Sequence, residues 1–394
     1  MDTHATSAVD DTSIRSRQTL RVYRYLATKN PYWRGRHLLQ LIRPVASQDF
    51  YYNYGYEILG PIYATFMLGI IEEIRQRQLK QIYFLAREGE LFLKSFQILG
   101  AGFFDSNDMP STYYLYVSRR STAAAAAYNG LTYETAVVPL LNPRQQGLYS
   151  ICKAFGLPPD DFAAIAKKHG FNHVKQPILD WESSQFRNLI DDPAFQQCVH
   201  QHTSSHWQLL HTYLTQHQFF TESQVALVDI GWNGSIQKYL QDAFGSNENY
   251  PHVIGLYLGF IGGIKHRLDA TKNTIVGILC DERNKARPND IFSRFEEIFE
   301  ESARALHSTT LGYQVSQETG QVVPLFKPDT DSDRIAELAA NPQIARFQAG
   351  ILDFCHEFAR ASKLTNYRFD DIKPFILTLA ERAVAYPTFE ESQR

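Results

Sequence analysis

The sequence is poor in sulfur: 394 residues hold 4 cysteines and 3 methionines. Cys152, Cys198, Cys280 and Cys355 lie far apart and form no CxxC pair. That spacing excludes a zinc knuckle and argues against a disulfide framework, and it suits reduced thiols. Long basic runs are also absent, and the formal net charge is −3. Nucleic-acid binding by bulk electrostatics is therefore not expected. No apolar run of about 20 residues occurs, the length a spanning helix needs. The longest apolar stretch, "ILGPIYATFMLGII" at 58–71, is closed by Glu72 and Glu73 and reads as a buried helix. Residues 1–20 are polar, so no signal peptide is expected. These absences together predict a cytoplasmic protein without a transmembrane segment, at most peripheral at the inner membrane face.

What is abundant is apolar and aromatic. The chain is 44% hydrophobic and 21% charged, with 26 Phe and 22 Tyr, enough for a large globular core. Residues 1–20 read as a loose tail and 21–50 as a basic, aromatic stretch with a short surface helix. "YGYEILGPIYATFMLGIIEEIRQRQ" follows as one helix, with Pro61 near its start, where proline is tolerated. "KQIYFLA" (80–86) and "STYYLYVS" (111–118) read as strands, and each is followed by a helical pattern. Residues 143–220 contain no strand pattern and read as a helical insertion. "VALVDIGWNGSIQKYL" (225–240) supplies a third strand and helix, and "HVIGLYLGFIGG" (252–263) a fourth strand. The segment after 285 starts helical and ends extended, and 331–386 is helical again.

Three strand–loop–helix units and a further strand predict an α/β fold with a parallel, Rossmann-like sheet, a large helical insertion and C-terminal helices. The expected divisions are a tail (1–20), a first part of the core (21–142), the insertion (143–220), a second part of the core (221–315) and a C-terminal helical region (316–394). Ligands of such sheets sit beyond the carboxyl ends of the strands. That rule puts Arg87-Glu88-Gly89-Glu90, Arg119-Arg120-Ser121 and the 229–235 turn on one rim.

The chemistry of that rim suits a phosphorylated sugar. A helix starting near Ser235 presents free backbone N–H groups and its positive dipole end. Gly231 and Gly234 permit close approach of an anion, and Asn233 and Ser235 add polar partners. A phosphate directly beside Asp229 would be repelled, whereas a sugar diol can donate two hydrogen bonds to its carboxylate. The plainer role of Asp229 is to cap the next helix. Arg87 suits a diphosphate through paired N–H bonds, and Glu88 and Glu90 suit the water shell of a Mg²⁺ ion on that diphosphate. A solvated helix start is the alternative for both glutamates. Arg119 and Arg120 form either a polyanion clamp or a surface pair, and Ser121 suits a helix cap. Glu296, Glu297, Glu300 and Glu301 cluster on one predicted helix. Glu297 or Glu300 is the candidate general base, with His307 as a further acceptor contact. A solvated acidic face is the simpler reading of that helix.

Four motifs occur in order: "GYEILGPIYATF", "IYFLAREGE", "LYVSRRS" and "VDIGWNGSIQ". As a set they resemble a region attached to predicted hydrolases of the haloacid-dehalogenase type in bacterial capsule and O-antigen gene clusters. The set is also similar to the phosphoribosyltransferase partner of a two-enzyme system in surface-polysaccharide assembly. The resemblance covers roughly residues 50–315. It implies transfer of 5-phosphoribosyl from phosphoribosyl diphosphate to a saccharide or lipid-linked glycan acceptor, with Mg²⁺ as cofactor. A separate phosphatase then leaves β-ribofuranose.

In outline the order resembles type I phosphoribosyltransferases. The resemblance implies a diphosphate loop at Arg87, Glu88 and Gly89, and ribose hydroxyls at Asp229. It puts the 5-phosphate at Gly231, Trp232, Asn233, Gly234 and Ser235. Two departures stand out. Ile230 follows Asp229 where the usual loop carries a second acid, and the turn is shorter. The Asp-x-Asp pair of haloacid-dehalogenase phosphatases is missing as well, because Gly231 stands two positions after Asp229. Two other readings stay open: a nucleotide-sugar-dependent glycosyltransferase, for which no nucleotide motif is evident, and a non-catalytic scaffold of a polysaccharide assembly complex.

Overall fold

The structure is a computed structural model and describes residue 42 and residues 47–105, 107–262, 268–283, 291–365 and 367–393. The expected tail (1–20) and nearly all of the 21–50 stretch lie outside the described residues. The long apolar segment forms helix α1 (Gly60–Arg77), entered through a short helix (Phe50–Tyr54) and one π-helical turn (Gly55–Leu59). Pro61 occupies its first turn, and thirteen of its residues are buried.

Five strands build a wholly parallel sheet: β1 (Gln81–Leu85), β2 (Ser111–Leu115), β3 (Gln224–Trp232), β4 (His252–Phe260) and β5 (Asn273–Asp281). Their spatial order is β2-β1-β3-β4-β5. The fold is a Rossmann-like α/β sheet with helical insertions and C-terminal helices, as the strand–helix alternation predicts. Helix α2 (Gly89–Gly100) follows β1, α3 (Arg119–Ala126) follows β2 and α6 (Ser235–Phe244) follows β3.

Side-chain alternation explains why the strands are apolar throughout. Ile82 and Phe84 face one core together with Ala226, Val228, Ile254 and Leu256. Tyr83 and Leu85 face the opposite core with Val225, Leu227 and Val253. A sheet covered on both faces needs both registers apolar. The first core is closed by α1, α2 and two C-terminal helices, α8 (Ser332–Thr365) and α9 (Phe369–Ala385). The second is closed by α6 and α5 (Pro193–Gln216). The insertion has an apolar cluster of its own, centred on α4 (Leu148–Phe155) and the helix Ser184–Ile190. No strand interrupts it among the described residues.

Two elements differ from the sequence reading. "NTIVGILCD" forms the fifth strand, although its alternation is broken by Gly277 and a register shift between β4 and β5. After α7 (Glu296–Ala303), β6 (Thr310–Val315) and β7 (Val322–Phe326) make a separate antiparallel hairpin. Among the described residues, no helix is long and apolar enough to cross a membrane.

Candidate functional site

Strands β1 and β3 pair in parallel, with Phe84 opposite Val228, so the segments leaving them emerge side by side. The strand order reverses at this pair, because β2 lies on one side of β1 and β3 on the other. A cavity of about 380 Å³ opens there, beyond the carboxyl ends of the strands. Its walls are Ala86, Arg87 and Glu88 after β1, and Val117 to Arg120 after β2. The end of β3 and the start of α6 contribute Asp229 to Asn233, Ser235 and Ile236. Glu296 and Glu300 of α7, and Thr309 and Thr310 beside β6, complete it. Arg87 and Asp229 therefore share one cavity.

Local sequence explains each placement. At β1, Gly89 opens α2 so close to the strand that a Cβ would sit 2.7 Å from the Phe84 carbonyl carbon. This glycine is required by packing, and it stands behind the cavity wall. At β2, Ser118 and Ser121 cap α3 reciprocally. Ser121 N–H donates to Ser118 Oγ at 3.0 Å, and Ser118 N–H donates to Ser121 Oγ at 3.0 Å. Ser118 Oγ also donates to the Thr310 carbonyl at 2.7 Å, which ties α3 to the hairpin. The N-cap is Ser118, and Ser121 is the buried partner one turn in. The cap lies three residues before the expected Ser121, so the helix starts at Arg119.

At β3 the strand does not stop at Asp229 but pairs with β4 as far as Trp232 opposite Phe260. Gly231 makes this possible. Its φ of +96 suits glycine, and a Cβ there would lie 2.4 Å from the Tyr257 Cβ. The expected anion cradle is correspondingly shorter: Asn233 and Gly234 alone join the strand to α6, and Asn233 N–H already donates to the Gly231 carbonyl at 2.9 Å. Asp229 does not cap α6. Its Oδ1 accepts from Ile230 N–H at 2.8 Å, and the N-cap position is Gly234. Trp232 is buried, and its indole N–H donates to Glu300 Oε1 at 2.9 Å, fixing that carboxylate at the wall.

Six of the residues picked from the sequence stand outside the lining. Glu90 pairs with Lys94 at 2.6 Å along α2, and Glu297 is exposed on the outer face of α7. His307 is held between aromatic rings: its Nε2 lies 2.7 Å from the Tyr114 hydroxyl and its Nδ1 2.9 Å from the Ser308 carbonyl. Burial keeps His307 below the ordinary imidazole range. Gly89, Ser121 and Gly234 support the walls from behind.

Electrostatically the cavity is divided. Burial and the charge of Glu88 push Asp229 up to about 7, against the pull of the Ile230 N–H and Arg119; Glu300 adds to the rise. Burial also raises Glu88, opposed by backbone N–H groups and Arg87. Glu296 is raised by burial and by its neighbours Glu300 and Glu297. Facing these acids, Arg119 and Arg120 are exposed and have no ion pair among the described residues. Arg87 is differently placed, with its Nη1 ion-paired to Glu337 Oε1 of α8 at 2.6 Å. The Ala86–Arg87 peptide is cis.

Such a site can hold a proton near neutrality, accept hydrogen bonds from hydroxyls and bind an anion at its basic edge. Among the described residues, no three potential metal-ligating side chains converge to hold an ion.

Sequence reasoning missed several members of the site. Ser118 and Thr310 carry no pattern beyond an ordinary cap and strand start. Glu296 was visible only as one of a run of acids. Glu337 lies 250 positions from Arg87 in the chain, and no local signal marks it.

A comparison of the chain with protein-family models and with curated proteins finds no match.

Proposed function

We propose that the protein is a phosphoribosyltransferase that moves 5-phosphoribosyl from phosphoribosyl diphosphate to a saccharide hydroxyl, in assembly of a ribofuranose-containing surface polysaccharide. The observation that carries the reading is the single cavity lined by Arg87, Asp229 and the Arg119–Arg120 pair, drawn from three distant loops. A doubly phosphorylated pentose needs that combination: cations for its anionic ends and a carboxylate for the hydroxyls between them.

In this reading Arg87, with Arg119 or Arg120, holds the diphosphate. Asp229 accepts hydrogen bonds from the ribose hydroxyls, and Asn233 and Ser235 meet the 5-phosphate. Glu300 is the base; Glu297, the other candidate, is exposed away from the cavity. As the acceptor oxygen bonds to C1, the C1–O bond to diphosphate breaks and the hydroxyl proton passes to Glu300. Attack on the face opposite the leaving group converts an α donor into a β product. Positioning and charge stabilisation supply most of the acceleration.

Mg²⁺ fits this site as an ion carried on the diphosphate. Crowded carboxylates lie beside the anion site without converging on a chelating set, and Glu88 is the residue to bond its water. When bound, the ion neutralises charge on the departing diphosphate. Removal of the 5-phosphate is assigned to a separate phosphatase.

The test is to incubate the protein with phosphoribosyl diphosphate, Mg²⁺ and capsule-type oligosaccharides and to weigh the products. A gain of one phosphopentosyl unit supports the reading. Transfer from nucleotide sugars alone, or glycan binding without turnover, rejects it.

A further inference from the structure

We infer that Glu337, on the C-terminal helix α8, is the positioning residue for Arg87, so that the C-terminal region forms part of the diphosphate-binding side of the site. The inference rests on the donor reading above.

Arg87 uses only Nη1 on Glu337, at 2.6 Å; Nε and Nη2 have no protein partner among the described residues. The two side chains are 19% and 21% exposed, so the pair is shielded while one edge of the guanidinium stays available. Glu337 is itself fixed. Its Oε2 accepts from Arg334 Nη1 at 3.1 Å, and Arg334 is buried, bonded to Asp329 at 3.0 Å and to the Leu306 carbonyl at 2.8 Å. The Glu337 carbonyl accepts from Arg304 Nη2 at 3.2 Å. Arg304 is 1% exposed and also reaches Asn341 at 2.8 Å.

The same strip of chain touches the Arg87 backbone, since Ala305 N–H donates to the Arg87 carbonyl at 3.3 Å. Two buried arginines thus lock residues 304–306 to α8, and the locked unit holds Arg87 by its backbone and its side chain. Burial alone would raise Glu337, but the bonds from Arg87 and Arg334 and the charges of Arg87 and Arg304 outweigh it and hold the carboxyl below its usual range. It remains ionised, and so remains on Arg87, at neutral pH.

Fixing a long side chain before the ligand arrives removes an ordering cost of about three- to tenfold in affinity. Glu337 also offsets part of the Arg87 charge. Because the carboxylate is shared with Arg334 and occupies one guanidinium nitrogen, positioning outweighs neutralisation.

The experiment titrates inorganic pyrophosphate with Mg²⁺ into the full chain, comparing wild type with Glu337→Ala, Glu337→Gln and Asp353→Asn. Asp353 lies on the same helix and bonds the Tyr52 hydroxyl at 2.6 Å, away from the cavity. Glu337→Ala is expected to weaken pyrophosphate by about three- to tenfold and Glu337→Gln by less, with Asp353→Asn unchanged. In the transfer assay, KM for phosphoribosyl diphosphate rises by the same factor while KM for the acceptor stays constant. Glu337→Gln, which keeps the side-chain shape but loses the ion pairs to Arg87 and Arg334, should stay folded and melt somewhat below wild type at neutral pH. Unchanged or tighter pyrophosphate binding in both Glu337 variants overturns the inference, as does equal weakening by Asp353→Asn. A wild-type protein that binds no pyrophosphate overturns the donor reading itself.

Discussion

The indole N–H of Trp232 donates to the Glu300 carboxylate at 2.9 Å, joining the end of β3 to helix α7 across the cavity wall. Trp232 has a φ of +59, a conformation that large side chains seldom adopt. Glu300 is thereby held at the wall of the cavity that it shares with Asp229. Replacing Trp232 with Phe keeps most of the ring and removes the donor. In the proposed mechanism kcat should fall by about tenfold, the worth of a hydrogen bond to a charged group, with little change in KM for the donor. Steady-state kinetics on Trp232→Phe checks this; a rise in KM at constant kcat assigns the indole to ground-state binding instead.

In the proposed mechanism Asp229 sets the pH dependence of transfer. Ionised, it accepts hydrogen bonds from hydroxyls; protonated, it loses that capacity. Transfer should therefore increase as pH rises through about 7. Stability should move the other way. The folded carboxyl binds its proton more tightly than the unfolded one, whose pKa is near 4. Its contribution is fully present below about 4 and is lost as pH rises through about 7. Asp229→Asn should abolish transfer while leaving the fold intact, and should raise Tm relative to wild type at pH 8 but not at pH 4. Melting curves at both pH values, with a pH–rate profile, decide it.

Arg119 and Arg120 sit at the exposed basic edge and make no ion pair among the described residues, although the charge of Arg119 reaches Asp229. Reversing either charge should raise the donor KM by roughly ten- to hundredfold, since a charge-assisted contact is worth about 1.5–3 kcal/mol. Added salt should weaken wild-type donor binding more than that of the variants. Melting temperature should hardly change, as neither residue is buried.

Ser118 has a structural task. Its Oγ accepts from Ser121 N–H and donates to the Thr310 carbonyl, so it both starts α3 and anchors the hairpin. Ser118→Ala should cost about 1 kcal/mol of stability, the usual value of a lost N-cap. Chemical denaturation measures this directly. The loss should exceed that of Thr132→Ala, an exposed cap ahead of the insertion whose hydroxyl bonds only within its own turn.

How far the sequence disclosed the site depended on distance along the chain. β1, β2, β3 and β4 were legible because apolar runs rich in β-branched, leucine and aromatic residues ended in small or charged residues. The strand-end rule then put Arg87, Arg119, Arg120 and Asp229 on one rim. β5 was hidden by Gly277, which interrupts its apolar run, and by the register shift that its pairing with β4 needs. The end of β3 was misjudged because Gly231, a usual sign of a turn, here lets the strand continue against Tyr257. Helical periodicity identified α7 but not which of its glutamates faces inward. Rotation about the helix axis is set by packing of Phe299 and by the Trp232 bond, both long-range effects. Glu337 was invisible for the same reason.

The central claim is tested most directly by acceptor-dependent release of pyrophosphate. With phosphoribosyl diphosphate, Mg²⁺ and the polysaccharide acceptor of the source cell, wild-type protein should release pyrophosphate in step with formation of a β-linked phosphopentosyl product, and Asp229→Asn should not. Folded wild-type protein that releases no pyrophosphate with that acceptor, or an Asp229→Asn variant that releases it as fast as wild type, would contradict the account.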